Sequence, residues 1–313
     1  MKNILNTVTM AALLVAATSC EHKDLCHDHA HAVEVEVVFD WRNAPDAAPA
    51  SMSLYLFPGD GEALRYDFTG RDGGTIRVPI GKYEALCLNS DTENIGYRNT
   101  ERKGTFEVTT QTSPLLGGLS ALGVRSEGAP RADGAGDERV ALSPDMLWSD
   151  QAESIELKHI PARQRITLYP EQSVCRYTVE IRNAENLKYV FGVSGSISGL
   201  AGGLLPGTGP DALTGERVTI PFDAAVGEGE NGEKSVVTGG LLTFGHSPAV
   251  DKAHQLTVYA VLYDVTGQIH SAPDPRNVHI VLDGLPLPKP ITNGGGFQPE
   301  VEPWKPVEID LKM

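Results

Sequence analysis

The sequence predicts an all-β protein, with two tandem antiparallel β-sandwich domains behind an export segment. Three observations lead there. The 33 glycines and 21 prolines divide 313 residues into short segments rather than long helices. Within those segments apolar and polar residues alternate with a period of two, as in a strand with one buried face. Between consecutive strands no helical stretch appears of the kind a parallel sheet needs for its crossovers. A chain of this length is expected to build two cores. The patterns divide it into a signal peptide at 1–19, a tether at 20–32, a first sandwich at 33–160 and a second at 161–313.

Lys2 gives the export segment its positive start, and residues 10–17 form an apolar run too short to span a bilayer comfortably. Ala17-Thr18-Ser19-Cys20 then sets small residues ahead of a cysteine where the run stops, which resembles the lipobox of bacterial lipoproteins. The resemblance implies cleavage before Cys20 and attachment to a membrane through acyl chains on its thiol. Each buried methylene contributes about 0.8 kcal/mol, so three chains make such an anchor effectively permanent. Cleavage near Ala17 as an ordinary secreted protein is the alternative, and it would leave Cys20 a free thiol. Glu21 and Asp24 partly resemble the acidic residues that follow the acylated cysteine in surface lipoproteins of the Bacteroidota.

The tether holds His22, Cys26, His27, His29 and His31, side chains of the kind that ligate zinc, copper or nickel. A polar tail does not bring ligands to one point before a metal arrives, so the segment reads first as a spacer and no metal or cofactor is expected. The formal net charge of −15, with no basic stripe, argues against nucleic acid as a partner.

In the body, residues 33–41 alternate apolar and acidic side chains, with valines, Phe39 and Trp41 on one face. Further strands are expected at 51–57, 64–68, 75–80, 83–88 and 105–110, with turns at 58–61 and 72–74. Residues 113–138 read as a long loop, 140–148 as the close of the first unit, and 154–158 as the last strand of one unit or the first of the next. In the second half, strands are expected at 164–169, 175–181, 189–194, 235–244, 255–263, 278–282 and 304–311. The Gly-rich stretch 199–215 has few apolar anchors and reads as a mobile surface loop. Cys87 and Cys175 fall in strands and are expected as small core residues.

No catalytic motif is present. Gly192-Val193-Ser194-Gly195-Ser196 comes nearest to a nucleophile elbow but lacks its final glycine and its strand-turn-helix setting. Asp40, Asp60, Asp72, Asp91 and Glu93 are expected to form a solvated acidic surface rather than a glycosidase pair. A glycan-binding surface built on Tyr66, Tyr97, Trp148 and Trp304 is the alternative function, although most aromatics should serve the core.

The cysteine at 20, the Cys/His-rich tether, the strand that ends Val37-Val38-Phe39-Asp40-Trp41, the turn Pro79-Ile80-Gly81-Lys82-Tyr83 and the closing Trp304 strand resemble the fimbrillin-like lipoproteins of the Bacteroidales, akin to minor fimbrial anchor subunits. The resemblance implies two transthyretin-like sandwiches, an outer-membrane, surface-exposed location, fimbrial subunits as partners and no catalytic residues. Assembly would proceed by β-strand addition, with residues 33–41 and 307–311 as candidate strands between which the sequence does not choose. Arg125 and Arg131 lie in the long loop, with no processing site assignable to them.

Overall fold

The computed structural model of the chain describes residues 32–260, apart from 186, 188, 189, 191, 210, 211, 231 and 250–253, together with the backbone of strands at 263–269, 277–285 and 308–310. Strands dominate the described residues, and the short 3-10 segments Trp41–Asn43, Lys103–Thr105 and Gly117–Leu122 interrupt them. The first eleven strands are β1 (Ala32–Phe39), β2 (Ser51–Pro58), β3 (Leu64–Thr69), β4 (Gly73–Pro79), β5 (Gly81–Asn89), β6 (Ile95–Arg98), β7 (Glu107–Thr110), β8 (Arg139–Val140), β9 (Trp148–Leu157), β10 (Gln164–Leu168) and β11 (Glu171–Gln172). The remaining nine are β12 (Cys175–Ala184), β13 (Val193–Ala201), β14 (Gly203–Leu204), β15 (Arg217–Glu228), β16 (Lys234–Thr243), β17 (His254–Ala260), β18 (Tyr263–Ile269), β19 (Asn277–Leu285) and β20 (Glu308–Asp310).

The first sandwich stacks the sheet β10-β1-β4 on the sheet β11-β9-β5-β2-β3. The alternation in β1 does what its sequence predicts. Val35, Val37 and Phe39 point into the core, and Glu36 faces outward to pair with Arg165 at 2.8 Å. Opposite them lie Met52, Leu54 and Leu56 of β2 and Ala85 and Cys87 of β5, all fully buried. Trp41 closes one end of this core. Its Nε1 donates to Arg71 O at 2.8 Å and its ring meets Trp148 edge to face. The Pro79–Tyr83 turn closes another end, where the Tyr83 hydroxyl donates back to Pro79 O at 2.8 Å.

Two features depart from the sequence reading. Residues 164–168, expected in the second half, run parallel to β1 and send Ile166 and Leu168 into the first core. Over residues 52–57 and 85–89 the central strands β2 and β5 also have no wet face. Tyr55, Phe57, Leu86 and Leu88 point away from the first core into another, shared with Phe106 and Val108 and with Ala201, Leu204 and Phe244 from the second half. A sheet covered on both sides reads as a nearly continuous apolar run, which explains 54–57 and 85–88.

The second half centres on the sheet β19-β12-β16-β15-β13-β17-β18-β20, with β8 added beside β15. Most pairings are antiparallel, but β12–β19, β15–β8 and β18–β20 are parallel. Tyr177, Val179, Ile181, Ile197, Ile220 and Val258 lie in its core. The opposite face of β13 carries the small, buried residues Ser194, Ser196 and Ser198. Over this side of the sheet runs the segment 113–140, whose Leu115, Leu116 and Leu119 pack with Tyr259. The expected long loop is therefore a packed strap.

Candidate functional site

The candidate features are the two candidate strands, the junction between the halves, and the strap. The candidate strands differ in kind. β1 is hydrogen-bonded on both sides, to β10 and to β4, and so is an interior strand of its own sheet. In the 307–311 segment, β20 pairs in parallel with Thr266–Gln268 of β18 and stands at the margin of the large sheet. Cys20, the tether residues His22, Cys26, His27, His29 and His31, and Trp304 lie outside the described residues.

The junction is apolar at its centre and ionic at its rim. Phe106 is fully buried and sits edge to face against Tyr55 and Phe57, with ring centroids 4.9 and 6.3 Å away. At the rim, Glu216 accepts from Arg139 Nε at 2.8 Å and from Arg98 Nη2 at 3.3 Å, which holds its carboxyl below the usual carboxylate range. Arg98 also reaches Glu107 at 2.7 Å. Buried Lys103 donates to Gln151 at 2.7 Å, with Glu153 and Glu84 beyond. Ser143 Oγ both donates to Leu242 O and accepts from Leu242 N, at 2.9 and 2.8 Å.

The stretch expected to be a mobile loop at 199–215 lies largely inside this junction. Residues 199–204, 206 and 207 are buried, and β14 pairs with β7. Its glycines allow close backbone approach. A β-carbon at Gly207 would run into Lys103 O, and one at Gly203 would lie 2.8 Å from Val108 O. Contacts so distant in sequence leave no local signal.

Glu138 fixes the strap. With its side chain 4% exposed, it accepts from Gly199 N at 3.0 Å and Thr219 Oγ1 at 2.7 Å and pairs with Arg217 at 2.6 Å. Arg131 donates to Gly136 O and Glu138 O within the same segment, whereas Arg125 is exposed. Nearby, buried His254 contacts Ser198 O through Nδ1 at 2.9 Å. A carbonyl only accepts, so Nδ1 carries the proton and Nε2 accepts from His246 Nδ1 at 2.5 Å. Burial lowers the His254 pKa from 6.5 to about 4.

The remaining candidates fall into structural roles. Tyr97 packs against Phe106, Trp148 against Trp41, and Tyr66 against the first core, which withdraws them from a flat glycan platform. Cys87 and Cys175 are buried, and burial pushes the Cys87 thiol well up. Asp40 pairs with Arg42, while Asp91 accepts from Ala50 N. Gly195 and Ser194 lie in β13, with no elbow. Among the described residues, no three His, Cys, Asp or Glu side chains converge for a metal, and no helix is long and apolar enough to cross a membrane.

The chain is 26% identical over 195 residues to a Bacteroides ovatus protein provisionally named fimbrium anchoring subunit Fim4B; the match covers 62% of this chain and 53% of the relative. The chain thus spans about half the length of that relative. A crystal structure from Bacteroides ovatus, provisionally described as an adhesin, shares the fold with a TM-score of 0.61 at 20% identity, over 88% of this chain and 99% of the other. The fimbrial anchor protein Mfa2 of Porphyromonas gingivalis aligns with a TM-score of 0.47 at 13% identity, over 80% and 90%. Residues 19–223 match the family described as a domain of unknown function, DUF5119, and the chain belongs to that family.

Proposed function

We propose that the chain is a non-enzymatic surface subunit that anchors a fimbrium, tied to the outer membrane by lipid on Cys20 and to its fimbrial partner by β-strand addition. The observation that carries this reading is the likeness to the Bacteroides ovatus protein named for fimbrium anchoring. The geometry is compatible with that role. β1, which follows the tether, is an interior strand, so the end nearest the lipid is built into a core. The margin at β18 and β20 is where an extended partner segment would add, with main-chain hydrogen bonds supplying affinity and alternate side chains specificity. We further place the division between the sandwiches after β11, near residue 173, because β10 and β11 pair with β1 and β9.

Two experiments test the reading. Tagged full-length protein, crosslinked in the cells that make it, should be recovered with fimbrial subunits. Recovery without any such subunit, together with retention on polysaccharide gels, would favour the glycan-binding alternative and overturn the anchor. The variant Cys20→Ala should lose acylation and leave the membrane fraction, and its unchanged retention there would refute the lipid attachment.

A further inference from the structure

A cavity of about 370 Å³ lies between the start of the strap and the sheet beneath it. Ser194, Pro221, Asp223 and Gly240 form its floor on β13, β15 and β16, and Ser113, Pro114, Leu115, Gly117 and Gly118 form its roof. Asn94, Leu142 and Ser143 also line it. Several of the polar groups are already engaged. Asn94 Nδ2 donates to Ser143 O, Ser143 Oγ is held by Leu242, and Ser113 Oγ donates to Pro114 O.

Two of the lining groups that remain for a ligand are neighbours. Ser194 and Asp223 are register partners across β13 and β15, so their side chains stand on the same face roughly 5 Å apart at the β-carbons. Ser194 is 2% exposed, and its hydroxyl is buried without a hydrogen-bond partner among the described residues, a state that costs free energy unless something enters to satisfy it. Asp223 is exposed and forms no ion pair with a described residue. Its Oδ1 lies against the roof at a point that a β-carbon on residue 118 would occupy, so glycine there keeps the carboxylate in the cavity.

We propose that this cavity binds one neutral pyranose unit of a saccharide. A carboxylate accepts from two adjacent hydroxyls, the Ser194 hydroxyl adds a donor or an acceptor beside it, and Pro114, Leu115, Leu142 and Pro221 supply an apolar wall for the C–H face of a ring. Among the described residues no Lys, Arg or His lines the cavity, and Asp223 repels anions, so phosphate, sulfate and acidic sugars are disfavoured. The site is independent of strand addition, and its failure would leave the anchoring role untouched.

The test is saturation-transfer NMR on the purified chain with the methyl pyranosides of glucose, galactose and mannose, and with glucuronate and glucosamine as charged controls. At least one neutral glycoside should receive saturation and bind in the millimolar range, with glucuronate giving none. Asp223→Ala should weaken that binding by about tenfold or more. Gly118→Val should remove it by crowding the carboxylate, with the melting temperature used to confirm folding, and Asp223→Asn should weaken it without changing shape. No transfer to any neutral glycoside at about 10 mM would overturn the proposal. So would binding unchanged in both Asp223 variants, or a preference for glucuronate or glucosamine.

Discussion

At Glu138 a carboxylate is buried in the strap and answered by Arg217 and by donors from two strands of the second sheet. Removing its charge leaves Arg217 without its partner and Gly199 N with a weaker acceptor. Glu138→Gln should therefore lower unfolding stability by about 2 kcal/mol, read from urea denaturation. The effect of His254 depends on pH. The folded protein resists protonating this ring until about pH 4, while the unfolded chain takes up the proton near 6.5. Stability is then fully present above about 6.5, falls as pH drops towards 4, and loses nothing further from this group below that, with a total of about 3 kcal/mol. His254→Gln should flatten the difference between urea midpoints at pH 7 and pH 4.5, and an unchanged difference would contradict the assignment.

At the scale of elements, legibility in sequence followed the range of the contacts. β1 was plain because its Val-Glu alternation depends only on one buried and one wet face. The Pro79–Tyr83 turn was visible because the Tyr83 hydroxyl closes on a residue four positions back. The pairing of β10 with β1 joins residues about 130 apart, and nothing within 164–168 names that partner. The glycines of 199–207 misled for the same reason. Their value lies in the approach of Lys103 and Val108, and glycine composition alone suggests freedom instead. The strap looked like loop because its apolar residues, Leu115, Leu116 and Leu119, follow no strand period yet find Tyr259. Of the candidate site, the buried thiols and the core strand at 193–194 were legible, whereas Glu138 and the Ser194–Asp223 pair come together only through folding. Limited trypsin digestion checks the strap directly. Cleavage should begin after exposed Arg125, Arg131 should be slower because its guanidinium is held by Gly136 and Glu138 carbonyls, and the fragments should stay associated on gel filtration. Early cutting after Arg131 would show that the clamp is open in solution.

For the whole molecule, the shared core around Phe106 decides whether two sandwiches behave as one body. Because the ring fills space between residues of both halves, Phe106→Ala should cost about 3–5 kcal/mol. It should also split a single calorimetric transition into two, while a single transition in both proteins would place the coupling elsewhere, in the Arg98–Glu216–Arg139 rim.

The position of β1 between two neighbours has a mechanical consequence. A pull along the axis of β1 loads the main-chain bonds to β10 and β4 side by side, so they must slip together instead of parting one after another from an end. In the proposed lipid-anchored protein such a load would be shared across both ladders, without a covalent crosslink between the buried thiols.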